Sequence, residues 1–174
     1  KRRSSSEKPL YLMYDQIYWA ITSGKIRHYN PVTLYPEMRE YTVFVDGISK
    51  AFASTGVRVG WTFGPKKIMD KMKSILGHVG AWAPKAEQVA LAKYLKQELL
   101  VDNYLTDINK KVNERLYAFH IGFQSLKAEG LRVDSITPQA AIYLTVQFKL
   151  HGQKTIDGKI LESTRDVTKY ILDE

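Results

Sequence analysis

In residues 46–61, DGISKAFASTGVRVGW, a lysine and an arginine stand eight positions apart, the first between the small residues Ser49 and Ala51, the second between Val57 and Val59, with an apolar segment on either side of the stretch. Lys50 follows closely on the apolar run YTVFV, residues 41–45. The carboxyl end of a buried parallel strand is where α/β sheets bind ligands, and a desolvated amine there can act as a nucleophile toward an aldehyde. Arg58 would put a second cation near it. Taken singly, either residue reads as a solvated surface cation; the spacing and the framing set the pair apart. Upstream, a second apolar run, LYLMY (residues 10–14), gives way to Asp15 and, three positions on, Tyr18. Alone, Asp-x-x-Tyr reads first as an aspartate capping a turn at a strand end; its place ahead of Lys50 reverses that.

The combined pattern Gly47-Ile48-Ser49-Lys50-x-x-Ala53-x-x-Gly56-x-Arg58-Val59-Gly60 resembles the cofactor-attachment segment of the class I (fold type I) pyridoxal-phosphate-dependent aminotransferases, the aspartate aminotransferase family. The resemblance implies that Lys50 is the catalytic residue. It would form the Schiff base with pyridoxal 5′-phosphate and, once released by the incoming amino acid, move a proton between Cα and the cofactor's C4′. It further implies that Arg58 binds the phosphate, where its planar fork makes two charge-assisted hydrogen bonds that a lysine point charge cannot reproduce. Asp15 matches the aspartate that pairs with the pyridine nitrogen and keeps the ring an electron sink, and Tyr18 matches the tyrosine that bonds the ring O3′. The cofactor-binding set is thus Asp15, Tyr18, Lys50 and Arg58.

The resemblance covers most of the chain, with two departures. Ser54 stands where the family usually has an aliphatic residue or methionine, and Gly47 where some members carry a serine that contacts the phosphate. The family's glycine-containing phosphate loop, its ring-stacking aromatic, the asparagine of its Asn-Pro motif and the arginine for the substrate α-carboxylate have no counterpart in these residues. The resemblance therefore implies a fragment of a longer protein, one that alone transaminates negligibly for want of the walls that exclude water and orient substrate. It also implies a homodimer in the full-length protein, with the GHVGAWAP segment near the interface.

The elements that must position these residues follow from periodicity. Residues 10–14 and 41–45 read as parallel strands covered on both faces, joined by a crossover; 58–63 (RVGWTF) reads as a third strand, antiparallel to the second. Between them, 16–24 has room for a helical turn and HYNPVTLYPEM, with its two prolines, reads as a loop. Gly64-Pro65 starts a helix with Ile68, Met69, Met72, Ile75 and Leu76 on its core face. A second helix is expected over 85–100 and a long one over 102–128, closed by Gly130. LRV and AIYLTVQF read as strands of a smaller unit, 152–159 as a polar loop, and STRDVTKYILDE as a helix in which the chain stops without a cap.

The expected fold class is therefore α/β: part of the large domain of a pyridoxal-phosphate transferase, a parallel-type sheet with helices, then the long interdomain helix and the start of a smaller α+β domain. The expected divisions are a basic arm or linker over 1–9, the C-terminal part of the large cofactor-binding domain over 10–117, and the end of the linking helix with the start of the small domain over 118–174.

Composition narrows the function classes. The chain has 174 residues, 44% of them apolar, and no run approaching a bilayer span, so membrane partners are not expected and the cytoplasm is. It lacks cysteine, and its four histidines have no ligand-like spacing, so no metal is assigned. Lysine and arginine exceed aspartate and glutamate by 26 to 18, a net charge of +8. That charge leaves a basic nucleic-acid-binding or regulatory domain open as an alternative, but no motif for specific nucleic-acid recognition accompanies it. A lyase of the same fold and cofactor is the nearer alternative, because the fate of the carbanion depends on groups outside this segment. The leading expectation is a transfer of an amino group between an amino acid, aspartate first, and a 2-oxo acid.

Overall fold

The computed structural model describes residues 9–24 and 26–173. The basic arm expected over 1–9 lies, apart from Pro9, outside the described residues. The described chain divides into two compact units, the first running to Lys111 and including Gln139–Ala141, the second made of Val112–Pro138 and Ile142 onward.

The first unit is built on a three-stranded sheet of order β1-β2-β3, with β1 at Leu12–Asp15, β2 at Thr42–Gly47 and β3 at Gly60–Phe63. β1 runs parallel to β2, pairing Leu12 with Thr42 and Asp15 with Val45; β3 runs antiparallel to it, pairing Phe44 with Phe63 and Gly47 with Gly60. β2 is central and buried along almost its whole length, which an unbroken apolar run requires. Phe44 anchors the sheet, stacked on Phe63 at 4.7 Å and met edge-on by Tyr14 at 5.7 Å. β1 corrects the expectation of a strand covered on both faces. It is an edge strand among the described residues, with Leu12, Met13 and Asp15 exposed and only Tyr14 half-buried.

The crossover from β1 to β2 is more ordered than its prolines suggest. Pro31–Leu34 forms a single helical turn, α1, because Asn30 caps it: Asn30 Oδ1 accepts from the N–H groups of Val32 and Thr33, and Thr33 Oγ1 accepts from the Asn30 N–H. A 3₁₀ turn follows at Pro36–Glu40. Residues 17–20 make turns rather than a helix.

After β3, α2 occupies Lys66–Val79 with proline as its N-cap, so Gly77–Val79, expected as loop, are helical, and Gly80 ends the helix in the left-handed conformation. Ile68, Met69, Met72 and Leu76 are half-buried as the pattern requires, but Ile75 is 61% exposed. α3 spans Lys85–Tyr94, and α4 begins at Glu98, earlier than expected, and runs 31 residues to Ala128. The Gly130 stop holds: its φ is +92°, and Leu131 N–H reaches back to Leu126 O.

In the second unit the C-terminal part of α4 is accompanied by an antiparallel pair, β4 (Val133–Ser135) and β5 (Val146–Phe148), and by α5 (Thr164–Asp173). The expected strand over AIYLTVQF is confined to its last residues, since Ala141 takes a positive φ that breaks an extended run. The polar segment around residue 155 folds back on itself through a bridge between Lys154 and Ile160. Ser163 and Asp166 cap α5 reciprocally.

One ion pair in this unit makes the acid response specific. Lys127 Nζ lies 2.6 Å from Asp134 Oδ2, and with Gln124 at 3.1 Å from Oδ1 it holds the Asp134 carboxyl down at about 2. A depressed carboxyl contributes stability above its ordinary value of 3.8 that is lost as pH falls through about 2. Acid titration of the fold should therefore show a component in that window that Asp134→Asn removes. Because the pair is partly exposed, high salt should shrink the same component.

Candidate active site

The sheet topology brings three of the four expected site residues to one edge. Asp15 ends β1, Lys50 lies three residues beyond the end of the parallel β2, and Arg58 lies two residues before the start of the antiparallel β3. All three stand at the carboxyl end of β2, the end at which sheets of this class take ligands. Tyr18, in the turn after Asp15, meets Lys50 directly, with Nζ 5.9 Å from the ring centroid.

The Lys50 turn is fixed by its small and apolar residues. Ile48, Ala51 and Val59 are buried, and Ile48 N–H donates to Val59 O across the base of the loop. Phe52 stacks on Tyr104 of α4 at 5.7 Å and meets Tyr94 of α3 edge-on at 5.9 Å. Burial pushes the Tyr104 hydroxyl above its ordinary range. Ser54, one of the two departures from the family pattern, turns its hydroxyl inward to donate to Phe52 O at 2.8 Å, and Thr55 Oγ1 donates to Ser49 O at 3.1 Å. Lys50 itself is half-buried.

The glycines of the motif have a steric cause. Gly47 and Gly60 face each other across β2 and β3, and a Cβ on Gly47 would come 3.0 Å from both Gly60 Cα and Val59 O. A Cβ on Gly60 would lie 2.9 Å from Asp46 O, against backbone that cannot rotate away. Gly60→Ala should therefore cost about 1–3 kcal/mol of stability, the usual cost of overpacking. A thermal melt of the variant beside the parent chain measures it. The same contact bears on the second departure, since a side chain at 47 would require Gly60 and Val59 to give way slightly.

Arg58 is exposed, takes a positive φ of 60°, and its Nη1 donates to Thr55 O at 3.0 Å. That bond turns one edge of the guanidinium into the loop. Asp15 Oδ1 accepts from Ile17 N–H at 3.1 Å, the turn-capping bond its sequence context allowed, while the side chain remains exposed. The segment after Tyr18 is tied down by Asn109 of α4, which accepts from Thr22 N–H at 3.0 Å and donates to Ala20 O at 2.7 Å. Ser23 N–H donates to Gln139 O, and Ala141 N–H donates to Ile21 O.

Asp46, directly after the apolar run 41–45, is not among the expected site residues. It is 6% exposed, with its carboxylate accepting from Gly47 N–H at 2.7 Å, from Gln16 Nε2 at 3.2 Å and from Trp19. Burial pushes its carboxyl above the ordinary range, these hydrogen bonds work against that shift, and the neighbouring Asp15 adds to it. An aspartate inside an otherwise apolar strand end was the available signal. Among the described residues no group of three or more histidines and carboxylates is placed to hold a metal ion, and no helix is long and apolar enough to cross a membrane.

As a donor set, an amine, a guanidinium and a carboxylate at one end of the sheet, with a phenol against the amine, match an aldehyde, a phosphate, a ring nitrogen and a ring hydroxyl, so the residues present fit pyridoxal phosphate.

Comparison with known proteins finds relatives over most of the chain. The profile of the family "Aminotransferase class I and II" matches residues 3–174. A probable aspartate/prephenate aminotransferase of Rickettsia felis is 27% identical over 171 residues, covering 94% of this chain and 38% of that protein. An aspartate aminotransferase of Geobacillus stearothermophilus is 28% identical over 68% of this chain and 31% of its own length. Among solved structures, the aspartate aminotransferase of Rhizobium meliloti superposes with a TM-score of 0.82 at 23% identity, over 94% of this chain and 40% of that one, which establishes the fold. An aromatic aminotransferase of Pyrococcus horikoshii superposes at 0.67 with 27% identity, over 78% of this chain and 34% of that one. The chain thus spans well under half the length of the relatives it matches.

Proposed function

Because the chain belongs to the class I and II aminotransferases, we propose that it forms the cofactor-attachment portion of a pyridoxal-phosphate-dependent aminotransferase that moves an amino group between an amino acid, aspartate first, and a 2-oxo acid. The observation that carries this is the gathering of Asp15, Lys50 and Arg58 at one end of the sheet with Tyr18 against Lys50. Lys50 Nζ would hold the cofactor through its aldehyde and, as an amine beside the reacting carbon, would be the group able to take up and return a proton. Asp15 would face the ring nitrogen and favour its protonated form, Tyr18 would offer its hydroxyl to the ring O3′, and Arg58 would hold the phosphate through the edge of its fork not engaged by Thr55. Pyridoxal phosphate, when bound, supplies the electron sink.

In this reading residues 10–117 belong to the large domain and 118–174 open the small one, the full-length protein works as a cytoplasmic homodimer, and the 174-residue chain alone does not turn over. Aspartate as the first donor is supported by the names of the relatives from Rickettsia felis and Geobacillus stearothermophilus. The test is to incubate the full-length protein with pyridoxal phosphate, reduce with borohydride and map the modified peptide. Label at Lys50 is expected, and label at another lysine overturns the assignment. Aspartate with 2-oxoglutarate should then yield glutamate and oxaloacetate. Release of ammonia and pyruvate instead would turn the reading to a lyase.

A further inference from the structure

We propose that Asp46 is a positioning residue that clamps the Asp15–Tyr18 segment to the Lys50 turn, so that the two halves of the cofactor cradle move as one piece. The inference rests on the reading of Lys50 above, and it concerns a residue that touches none of the reacting atoms.

The geometry is a carboxylate shared between two chain segments that are 30 residues apart. On the Lys50 side, Oδ1 accepts from Gly47 N–H at 2.7 Å, within the buried residues that lead into the turn. On the other side, Oδ2 accepts from Gln16 Nε2 at 3.2 Å, and Trp19 also donates to the carboxylate. Gln16 follows Asp15 directly, and Gln16 and Trp19 bracket Tyr18 in sequence. The residues that flank the proposed ring contacts are therefore held by the carboxylate whose other oxygen sets the last amide of β2, where the Lys50 loop begins.

Ordinary strand pairing does not make this connection. The last β1–β2 pair is Asp15 with Val45, and Gln16 N–H donates to Val45 O, after which the backbones part. Beyond that point Asp46 takes over with its side chain. Its 6% exposure means that water cannot replace the lost partners, and a buried donor left without an acceptor is costly. A surface aspartate in the same place would be dispensable.

Asp46→Ala, Asp46→Asn, Gln16→Ala and the Asp46→Ala/Gln16→Ala double variant in the full-length protein test this. Hydrogen exchange of the Gly47–Ser49 amides, measured without cofactor, reads the clamp independently of any chemistry, and Asp46→Ala should speed it at least tenfold. The rate at which Lys50 is labelled by pyridoxal phosphate and borohydride should fall roughly tenfold, and kcat roughly ten- to a hundredfold with KM for the amino donor changing less than threefold. Gln16→Ala should give a smaller loss, and the double variant should be no worse than Asp46→Ala, because both remove one connection. Asp46→Asn keeps an oxygen for Gly47 N–H and presents an amide to which Gln16 can turn its own oxygen, so it should recover labelling to within threefold of the parent. It also serves if the alanine variant does not fold. Unchanged exchange and labelling in Asp46→Ala, or losses that multiply in the double variant, would overturn the clamp. Should the parent protein take label at a different lysine, the assignment of Lys50 fails, and amide exchange still decides whether Asp46 holds the turn.

Discussion

Replacing Lys50 with alanine is expected to lower transamination by the full-length protein by roughly 10³- to 10⁴-fold and to abolish borohydride-stable labelling of its peptide, while the fold survives. The size of the loss reflects two functions carried by one atom. Nζ is the proposed point of attachment and the proposed proton carrier, so no neighbour retains either role. Survival of the fold follows from how the turn is held. Ile48, Ala51 and Val59 are buried, and Phe52 packs against Tyr94 and Tyr104, whereas the Lys50 side chain is only half-buried against Tyr18. Arginine at position 50 keeps a cation over the tyrosine ring but offers no amine to an aldehyde. It should be equally inactive, which separates nucleophilicity from charge. Far-ultraviolet circular dichroism and a single-turnover assay with aspartate give both readouts, and an alanine variant retaining a tenth of the activity would contradict the role.

Asp15→Asn should produce the next largest loss, roughly 10²- to 10³-fold in kcat, a size typical of deleting one preorganised electrostatic contact. Asparagine keeps an oxygen for Ile17 N–H, so the turn after β1 is preserved and only the negative charge goes. If Asp15 served only as a turn cap, Asp15→Asn would be nearly silent and Asp15→Ala would cost stability without a specific loss of rate. Removing the charge also relieves the repulsion that helps raise the Asp46 carboxyl, so that group should titrate lower in the variant.

How much of this was readable beforehand depended on whether the signal was local. β2 and β3 announce themselves as apolar runs bounded by glycine, and the stretch between them carries no helical pattern that would serve as a parallel crossover. The Lys50 motif is likewise a spacing of types within fifteen residues. β1 was legible as a strand but not as an edge, because an apolar run records what a residue can be buried against and not which neighbours are there to do it. Leu12 and Met13 lie exposed for that reason. The α1 turn was missed because two prolines read as loop, although Asn30 and Thr33 carry a capping box that overrides them. α4 begins before Asp102 because Glu98, Leu99 and Leu100 suit a first helical turn as well as a last one, and the break falls instead at residues 95–97. Ile75 fitted the periodic face of α2 and is nonetheless exposed, since a stripe wider than its packing partner leaves its margin outside. The roles of Asp46 and Asn109 were not legible for a different reason, although an aspartate closing an apolar run marks Asp46 itself. Each makes a hydrogen bond to a residue 30 or more positions away, and no window along the chain contains both partners.

The contact between Gly47 and Gly60 makes residues 48–59 a ring whose two feet are pinned together. Its circumference then becomes a caliper that sets how far apart an amine at 50 and a guanidinium at 58 can reach. Substitutions on its outer rim can drift freely, whereas gaining or losing one residue would change the gauge while leaving both strands in place.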